Sequence, residues 1–397
     1  MTSPRNTLPI AIAGGGIGGL ACALALARKG FRSTVLEQAK EFGEVGVGLH
    51  VAPNALSVLD ALGVGTAAKK NALMIERLLM MDGVTGEEVA NIPCDARFER
   101  RFGNPYAVAH RAHIHGPLLD ACRTHDLIEL RTDSRVMGFE PEGSGVVVTL
   151  GSGERIAAAA LIGADGVYSN VRKRIIGDGD PLPAGAIIFR ATIPAAEMPK
   201  DLQKPYPTFW GGPDWHMIYY PISDWTTFNL GCTVLTGAAK LSEAEEFAPD
   251  AVLPYFVNRC EIPDRVLRIP KSFRRFVIVH REPVDNWTMG AATLLGDAAH
   301  PMVQYIAQGA AMALEDAICL GNIADECDGD FARAFQRYQD IRIVRTARVQ
   351  ISSMMLTHLN HAKGVERKVR NSVFEGRTPE EFYDRLAWLY TAPPYVK

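Results

Sequence analysis

The sequence lacks several features by which classes of protein are recognised. It contains no apolar run of the roughly 18 residues that a membrane-spanning helix requires; its longest apolar stretches include 8–13 and 157–164. It also contains no cluster of Lys and Arg, and its net charge is −3. We therefore expect no membrane span and no nucleic-acid partner.

Paired cysteine motifs are absent as well. Seven cysteines are scattered along the chain without CxxC or CxxH spacing, and most have apolar neighbours. This pattern predicts reduced, buried thiols and no metal site. The chain enters a predicted strand without the apolar segment and cleavage site of a signal peptide. These absences favour a cytoplasmic protein.

The composition that remains is that of an ordinary globular protein. Of the 397 residues, 47% are hydrophobic and 22% are charged, which are typical values for a protein that folds around an apolar core. A chain of this length exceeds the size at which one core keeps growing. We therefore expect two closely joined domains.

The first motif is a glycine-rich turn between a predicted strand, 8–13, and a predicted helix. Gly14, Gly16 and Gly19 have the spacing of a Rossmann fingerprint, and Gly15 lies inside the same turn. The first glycine allows a tight turn, the second lets the backbone approach a pyrophosphate, and the third lets the helix pack on the strand. The N-terminus of the helix offers N–H groups to phosphates. The turn therefore predicts a dinucleotide site.

Glu37 strengthens this prediction. It ends the predicted strand 31–37 and follows Gly14 by 23 residues. An acidic side chain at this place in a βαβ unit binds the ribose hydroxyls of the AMP half of a dinucleotide. Without the glycine turn, a lone glutamate at a strand end would carry little meaning.

Two later turns carry aspartates at the ends of predicted strands. Asp165 follows the run 160–163, and Asp297 lies just beyond the run 291–294. Each is weak by itself, because Asp beside Gly is common in turns. Three such turns can hold one long dinucleotide at several points, so the combination predicts FAD.

The remaining pattern predicts how the domains are arranged. The segment 43–54 is expected to be a glycine-bearing loop, 146–150 and 158–162 to be hairpin strands, and 187–281 to form an antiparallel sheet. Helical periodicity resumes at 308–323 and continues to the C-terminus. The expected fold class is α/β, with a Rossmann-like FAD-binding domain, an inserted and mostly antiparallel β-sheet substrate domain, and a C-terminal helical segment. The expected bounds are 1–76, 106–178 and 283–345 for the discontinuous FAD-binding domain, 77–105 and 179–282 for the substrate domain, and 346–397 for the helical segment.

A candidate catalytic pair lies in the predicted antiparallel sheet. His216 and Tyr220 are four residues apart, so both side chains point to one face of a strand. A lone histidine on an apolar strand is more often a core residue, but beside flavin motifs the pair favours catalysis. Gln304 and Tyr305 follow the Asp297 turn and are expected near the flavin edge. Capping of the next helix is an alternative role for Gln304.

The helix that begins near Gly309 and Ala310 has a separate predicted use. Its N-terminus is expected to aim N–H groups at the flavin pyrimidine ring, where they stabilise negative charge on reduced flavin. No second glycine fingerprint is visible for a nicotinamide cofactor. This counts against a reductase that binds two dinucleotides side by side.

Two of these segments carry a family resemblance. The sequence 165–172 resembles the DG motif of class A flavoprotein monooxygenases, and 296–301 resembles their GD motif. The resemblance implies that Asp297 holds the ribityl chain, Arg111 contacts FAD, and Asp165 bridges the cofactor and nicotinamide regions. It also implies a tightly, non-covalently bound FAD, O2 as co-substrate, and NADH or NADPH as a transient electron donor. The other residues assigned to FAD are Gly14, Gly15, Gly16, Gly19, Glu37, Gln38, Val47, Val136, Gly309 and Ala310.

Three longer segments, 102–111, 300–310 and 376–383, are similar to those of 3-hydroxybenzoate 6-hydroxylases. This resemblance implies a pocket for a small aromatic acid. It places His216, Gln304 and Tyr220 at the substrate as catalytic groups and Tyr106 as a binding group. His50 is a further candidate catalytic residue.

His50 departs from the pattern of that family. It falls where the hydroxybenzoate enzymes carry Gln, whereas 6-hydroxynicotinate 3-monooxygenases carry His there. Those enzymes also share the histidine that matches His216, but they lack the glutamine at position 304. The pattern that follows the GD motif in salicylate 1-hydroxylases is absent. The balance favours 3-hydroxybenzoate.

The expected reaction is the NADH- and O2-dependent conversion of 3-hydroxybenzoate to 2,5-dihydroxybenzoate (gentisate) through a flavin C4a-hydroperoxide. His216 is the expected base for the phenol. A phenol titrates near 10 and an imidazole near 6.5, a mismatch of about 5 kcal/mol, so the pocket must also stabilise the phenolate. The alternatives are a decarboxylating 6-hydroxynicotinate 3-monooxygenase, a hydroxylase of another hydroxylated aromatic acid, a flavin dehydrogenase or reductase, and a flavin-free Rossmann binding protein.

The C-terminal segment suggests an assembly. After Thr346 it mixes charges with Met354, Met355, Leu356 and Leu359. Such an apolar stripe on a helix is more often core or subunit interface than a ligand site. We therefore expect a homodimer.

Overall fold

A computed structural model describes residues 5–43, 48–222, 225–237 and 245–396. The described residues form twenty strands. These are β1 Ile10–Ala13, β2 Ser33–Leu36, β3 Gly48–Val51, β4 Leu73–Met74, β5 Arg77–Asp82, β6 Glu88–Pro93, β7 Ala107–His110, β8 Ile128–Arg131, β9 Val136–Glu142, β10 Gly145–Leu150, β11 Arg155–Ala158, β12 Ala160–Gly163, β13 Leu182–Pro194, β14 Thr208–Gly212, β15 Trp215–Ile222, β16 Thr227–Leu235, β17 Glu245–Phe247, β18 Phe273–His280, β19 Thr288–Met289 and β20 Ala292–Leu294.

Twelve α-helices are described in the same ranges. They are α1 Ile17–Ala27, α2 Pro53–Ala61, α3 Gly65–Lys70, α4 Ala96–Phe102, α5 Arg111–Arg123, α6 Asn170–Ile175, α7 Pro249–Val252, α8 Glu261–Leu267, α9 Gly309–Glu326, α10 Phe331–Asn360, α11 Gly364–Phe374 and α12 Pro379–Tyr390. Four single turns of 3₁₀-helix lie at Lys200–Leu202, Leu253–Tyr255, Gly296–Ala298 and Gln304–Ile306. None of the described helices combines the length and the apolar composition needed to cross a bilayer.

The first sheet has six strands in the order β19-β20-β12-β1-β2-β8. All neighbours are parallel except β19 and β20. Every residue of β1, β2 and β12 is buried, which explains why these strands are continuous short runs without polar alternation. Because β20, β12 and β1 are neighbours with the same direction, their carboxyl ends meet at one edge of the sheet.

The second large sheet has eight strands in the order β17-β18-β13-β16-β15-β14-β5-β6. Its pairs are antiparallel except β14 with β5. One face packs on a separate apolar core that includes Phe189, Trp215, Met217 and Phe273. The opposite face of this sheet is directed towards the first sheet. The mixed α/β architecture with a C-terminal helical segment confirms the expected fold class.

The structure corrects two local expectations. The predicted hairpin forms between β10 and β11, whereas β12 leaves it and joins β1 in the first sheet. The reason is that Ala159 separates two short runs, and only the second has parallel partners on both sides. The segment 43–54, expected to be a loop, contains β3, which pairs with β7. The domain bounds stay a prediction.

The C-terminal helices return to the second sheet. The buried carboxylate of Asp82, at the end of β5, accepts hydrogen bonds from Arg367 and Arg370 of α11, both at 2.6 Å. Lys363, the residue before α11, forms an ion pair at 2.8 Å with Asp214, which lies in the β14–β15 turn. These contacts hold α11 and the end of α10 against the second sheet.

Candidate active site

The three motif turns converge at the edge of the first sheet. Ala13 is in register with Gly163, and Gly163 with Leu294, so the chain leaves three adjacent strands side by side. Beyond their ends lies a cavity of about 410 Å³. Residues predicted to contact FAD that line it are Gly14, Gly16, Glu37, Gln38, Val136, Asp165 and Asp297.

At two positions of the glycine turn, only a residue without a side chain fits. Gly14 has φ +104°, and a Cβ there would overlap the carbonyl oxygen of Ala164. A Cβ at Gly19 would overlap the carbonyl oxygen of Gly14. Gly15 donates its N–H to the Glu37 carboxylate at 2.7 Å. Gly15 and Gly19 therefore shape the turn, although neither lines the cavity.

Asp165 stabilises its own turn. Its carboxylate accepts hydrogen bonds from the Ser169 hydroxyl and from the backbone N–H of Asn170, the latter at 2.8 Å. It thereby holds the start of α6. Burial raises the pKa of this carboxyl above its ordinary value, although these hydrogen bonds oppose the shift. Its predicted role between cofactor and nicotinamide stays a prediction.

Asp297 stands where two cavities meet, because it lines both the first cavity and a second one of about 570 Å³. A Cβ at Gly309, the first residue of α9, would lie 3.7 Å from the Asp297 Oδ1 atom. Gly309 and Ala310 also line the second cavity. The N-terminus of α9, an 18-residue helix, therefore lies beside the Asp297 side chain.

A buried network of charged side chains holds the Asp297 turn in place. The Asp316 carboxylate accepts the Gly296 N–H at 3.0 Å, His300 Nε2 at 2.6 Å and Arg342 Nε at 2.7 Å. Burial alone would raise the pKa of Asp316, but His300 and Arg342 lower it to about 2. The carboxylate thus stays ionised and holds the backbone of the turn in place.

The two cavities suit FAD. The glycine cradle leaves room for a pyrophosphate, Glu37 lies at the first cavity, and Asp297 connects this cavity to the second. The N–H groups at the start of α9 then face the place where a flavin ring would lie. Arg111, the first residue of α5, also lines the second cavity. Val47 lies outside the described residues.

The floor of the second cavity is one face of the eight-stranded sheet. His216, Ile218 and Tyr220 alternate along β15 and all line it. Ile218 is in register with Gly231 on β16, and Gly231 with Arg190 on β13. The absence of a side chain at Gly231 leaves the middle of the floor open.

His216 is buried at the far end of this floor. Its Nδ1 atom lies 2.8 Å from Nε2 of His361. Its ring stacks on Phe209 at 4.9 Å and meets the edge of Tyr305 at 5.3 Å. Burial, with a smaller effect of His361, lowers the pKa of His216 well below its ordinary value. The ring is therefore neutral near pH 7, and it binds a proton more weakly than a free imidazole does.

Gln304 lies near His216 rather than at a helix end. It begins a 3₁₀ turn, and its Nε2 atom donates to the Thr233 hydroxyl at 3.4 Å. Thr233 is in register with His216. Helix α9 begins only at Gly309, with no side-chain cap. The capping role that was open for Gln304 is therefore wrong.

His50, Tyr106 and Tyr220 form the other end of the cavity. His50 Nδ1 lies 3.1 Å from the Tyr106 hydroxyl, and the His50 and Tyr220 rings meet edge to face at 4.7 Å. Burial lowers the pKa of His50 to about 4. Burial raises the pKa of Tyr220 well above its ordinary value, against the effect of Arg190. Both side chains are therefore neutral near pH 7.

Sequence reasoning missed Arg190. Its guanidinium lines the cavity, and no carboxylate of the described chain forms an ion pair with it. Burial lowers its pKa; Tyr220 opposes that shift, and the second cation Arg111 adds to it. The available signal was one charged residue in the apolar run 187–191. The positive charge of Arg190 at this end of the cavity suits an anionic ligand.

Sequence reasoning also missed a wall of the cavity. Six residues of the C-terminal helices complete it: Leu356, Asn360, Phe374, Leu386, Leu389 and Tyr390. Part of the stripe expected to be core or subunit interface therefore faces the ligand space.

Comparisons with known proteins agree with this geometry. A family model described as an FAD-binding domain matches residues 7–330. The protein named 3-hydroxybenzoate 6-hydroxylase 1 of Aquipseudomonas alcaligenes is 44% identical over 383 residues, which is 96% of this chain and 97% of that protein. A more distant relative, the 6-hydroxynicotinate 3-monooxygenase of Bordetella bronchiseptica, is 29% identical over 347 residues, 86% of this chain and 89% of that protein.

Solved structures show the same fold. Klebsiella pneumoniae HpxO, complexed with FAD and uric acid, has a TM-score of 0.82 to this chain at 24% sequence identity. The similarity covers 96% of this chain and 97% of that one.

Proposed function

We propose a function on the premise that this chain belongs to the FAD-binding-domain family and, within it, to the FAD-dependent aromatic-ring monooxygenases. Its substrate in this proposal is 3-hydroxybenzoate, which is hydroxylated at carbon 6 to give 2,5-dihydroxybenzoate. One O2, one NADH and one proton are consumed, and NAD+ and one water are released. This is the reaction that the sequence predicts.

The observation that carries the assignment is the placement of Arg190 and His216 on one sheet face. Arg190 lies on β13, and β16 separates β13 from β15. Through Gly231 of β16 it is in register with Ile218 of β15, which is two residues from His216. With strands about 4.8 Å apart and a rise of about 3.4 Å per residue, their Cα atoms are about 12 Å apart. Both side chains point into the same cavity, which leaves room for one aromatic ring between them.

We assign the substrate carboxylate to the Arg190 end. The guanidinium offers two parallel N–H donors, which match a carboxylate in shape and charge. The Arg190 guanidinium is partly buried with no carboxylate partner among the described residues, and an anionic substrate offsets the cost of that burial. The hydroxyls of Tyr220 and Tyr106 lie at the same end of the cavity and add donors. An aromatic acid is therefore held by its acid group.

The hydroxyl of the substrate then reaches His216 and Gln304. His216, neutral near pH 7, accepts the phenol proton at its free nitrogen. Ionisation of the phenol raises the electron density at the ring carbon para to it, which is the carbon that is hydroxylated. Because burial lowers the pKa of His216, the pKa mismatch with the phenol is wider than for a free imidazole. The amide of Gln304 donates a hydrogen bond to the phenolate that offsets part of it.

The cofactor roles complete the assignment. Bound FAD supplies electron transfer from NADH and activation of O2. Asp297 binds the ribityl chain, Arg111 contacts FAD, and the N–H groups at Gly309 and Ala310 stabilise negative charge on the flavin ring. The apolar walls of the second cavity exclude water from the reacting ring. The AMP half lies in the first cavity, against Gly14, Gly16, Glu37, Gln38, Val136 and Asp165.

A second candidate is favoured by His50 alone. It lines the substrate cavity beside Tyr220, at the position where 6-hydroxynicotinate 3-monooxygenases carry histidine. In that case the same cavity would take 6-hydroxynicotinate, and hydroxylation would release CO2.

Turnover with a panel of hydroxybenzoates and 6-hydroxynicotinate tests the assignment. We expect 3-hydroxybenzoate to give 2,5-dihydroxybenzoate in proportion to the NADH oxidised. CO2 release from 6-hydroxynicotinate at a higher kcat/KM would replace it with the second candidate. In His216→Asn, hydroxylation should fall while flavin content stays that of the wild type; full turnover would remove His216 as the base.

We further propose a homodimer. Helix α10 exposes Val344, Ile351 and Met355, with relative exposures of 74%, 53% and 66%, and α11 exposes Val365 and Val369. Contiguous exposed apolar side chains usually mark an interaction surface. Light scattering should give twice the mass of the chain; a monomer would contradict this.

The cytoplasm is the proposed location. All seven cysteines are free thiols, and six of them are buried. Free thiols in such number are typical of a reducing compartment. Secretion of the natural protein, found by fractionation of its host cells, would contradict this assignment.

A further inference from the structure

His361 connects the end of α10 to the catalytic histidine. Its Nε2 atom lies 2.8 Å from Nδ1 of His216. Its Nδ1 atom lies 2.8 Å from the backbone carbonyl oxygen of Thr357. Two imidazole rings and one carbonyl thus form a continuous chain of hydrogen bonds that ends at the cavity.

This chain of hydrogen bonds allows only one arrangement of protons when both imidazole rings are neutral. A carbonyl oxygen can only accept, so Nδ1 of His361 must carry the hydrogen. Its Nε2 atom is then the acceptor, and Nδ1 of His216 must be the donor. The remaining nitrogen of His216, Nε2, is left with a lone pair. This is the nitrogen that a proton from the substrate can reach.

Both rings are neutral near pH 7. Burial lowers the pKa of His361 to about 4, and the Thr357 carbonyl and Asp214 oppose that shift. A protonated His361 would donate to Nδ1 of His216 instead, which would place the hydrogen of His216 on Nε2. The base would then be lost without any change in position.

We propose that His361 is a positioning residue, which fixes the tautomer and the ring orientation of His216 so that Nε2 takes the phenol proton. The proposal rests on His216 being the base of the proposed function. A histidine that orients a second histidine in this way does for it what a carboxylate does in a Ser-His-Asp triad. The proton passes from the substrate hydroxyl to Nε2 of His216 and gives a phenolate and an imidazolium.

The surroundings hold His361 in this place. Its backbone oxygen accepts the N–H of Asp214 at 3.1 Å, and Asp214 pairs with Lys363. The ring meets Tyr305 edge to face at 5.4 Å. Among the described residues, the titratable groups that face it are His216 on β15, Asp214 at the β14–β15 turn and Tyr305 from the 3₁₀ turn. The Lys363 ammonium is directed at Asp214.

Two variants of His361 separate positioning from packing. Gln places an amide oxygen near the site of Nε2, so His361→Gln keeps an acceptor for His216. Leu fills a similar space without an acceptor. His358→Leu, at an exposed position in the last turn of α10, is the matched control.

Each variant is measured as the flavin-loaded enzyme. The measurements are flavin content, Tm, the hydroxylation rate at saturating substrate across pH 6 to 9, and the Kd of 3-hydroxybenzoate and of benzoate, which lacks the phenol. In His361→Leu we expect a hydroxylation rate lower by about 10²-fold, weaker binding of 3-hydroxybenzoate, and unchanged binding of benzoate. His361→Gln should keep most of the rate, and His358→Leu all of it.

The proposal is overturned if His361→Leu keeps the rate and pH profile of the wild type, or if it weakens the binding of both ligands equally. If the Leu variant does not fold, His361→Asn replaces it. Its shorter amide does not reach His216, so equal rates for the Gln and Asn variants would also overturn the proposal. A fully active His216→Asn would instead show that the base assignment is wrong.

Discussion

Replacement of Arg190 by Met tests how the cavity selects an acid. Arg190 is the cation of the cavity floor, in register with Gly231 and Ile218. No carboxylate of the described chain forms an ion pair with it, and Arg111 adds a second positive charge nearby. Methionine has a similar length and fills the same space, so Arg190→Met removes the charge and its donors while the shape of the cavity is retained.

The expected magnitude follows from one charge-assisted pair. A hydrogen bond to a charged group contributes about 1.5–3 kcal/mol, which corresponds to roughly a 10- to 150-fold change in Kd. Arg190→Met should therefore bind 3-hydroxybenzoate weaker by that factor. Stability in the absence of ligand should stay the same or rise, because the variant removes a partly buried cation that has no carboxylate partner among the described residues.

The assay compares two ligands of similar shape, one with a carboxylate and one with a neutral amide. The Kd of 3-hydroxybenzoate and of 3-hydroxybenzamide is measured from the change in flavin absorbance on binding. Wild type should strongly prefer the acid, Arg190→Met should lose most of that preference, and Arg190→Lys should keep part of it. A preference unchanged in Arg190→Met would refute the assignment of the carboxylate to Arg190.

Three further predictions concern the cofactor turns and pH. Gly14→Ala should destabilise the protein by about 1–3 kcal/mol through its positive φ alone and should purify with little FAD, whereas Gly43→Ala, with no atom of the described residues within 4 Å of the new Cβ, should remain yellow. Asp316→Asn should lower the free energy of unfolding by about 3 kcal/mol, because Arg342 and His300 lose their carboxylate in a buried site; an unchanged Tm would contradict this role. His50 and His361 have folded pKa values of about 4 and ordinary unfolded values near 6.5, so the unfolded chain binds more protons between those values. Stability should therefore fall from pH 7 to pH 5, by about 2 kcal/mol for each histidine, and His50→Phe should show a smaller fall in urea unfolding.

The cofactor turns could be predicted because their signals are local. Strand, glycine turn and helix follow one another in the chain, so the position of Gly14 at a strand end is visible in the sequence. The meeting of Asp165 and Asp297 follows from parallel pairing, because the carboxyl ends of parallel strands share one edge. The same rule did not show that β12 would leave its hairpin, since that depends on which neighbouring strand competes for it.

The substrate end was harder to predict. His216 and Tyr220 lie on one strand, and the period of two residues shows that they share a face. Arg190 reaches them across two other strands, through a register that sequence spacing does not contain. His361 lies 145 residues beyond His216 and reaches it only because α10 ends at the edge of the second sheet. Contacts of this kind are set by tertiary packing.

The most direct measurement of the central claim is a turnover under ¹⁸O2 with NADH and 3-hydroxybenzoate, followed by mass spectrometry of the product. We predict 2,5-dihydroxybenzoate that carries one ¹⁸O atom, at the carbon para to the original hydroxyl. NADH oxidation that yields only reduced oxygen species and no labelled aromatic product would contradict a site that joins the flavin to this substrate.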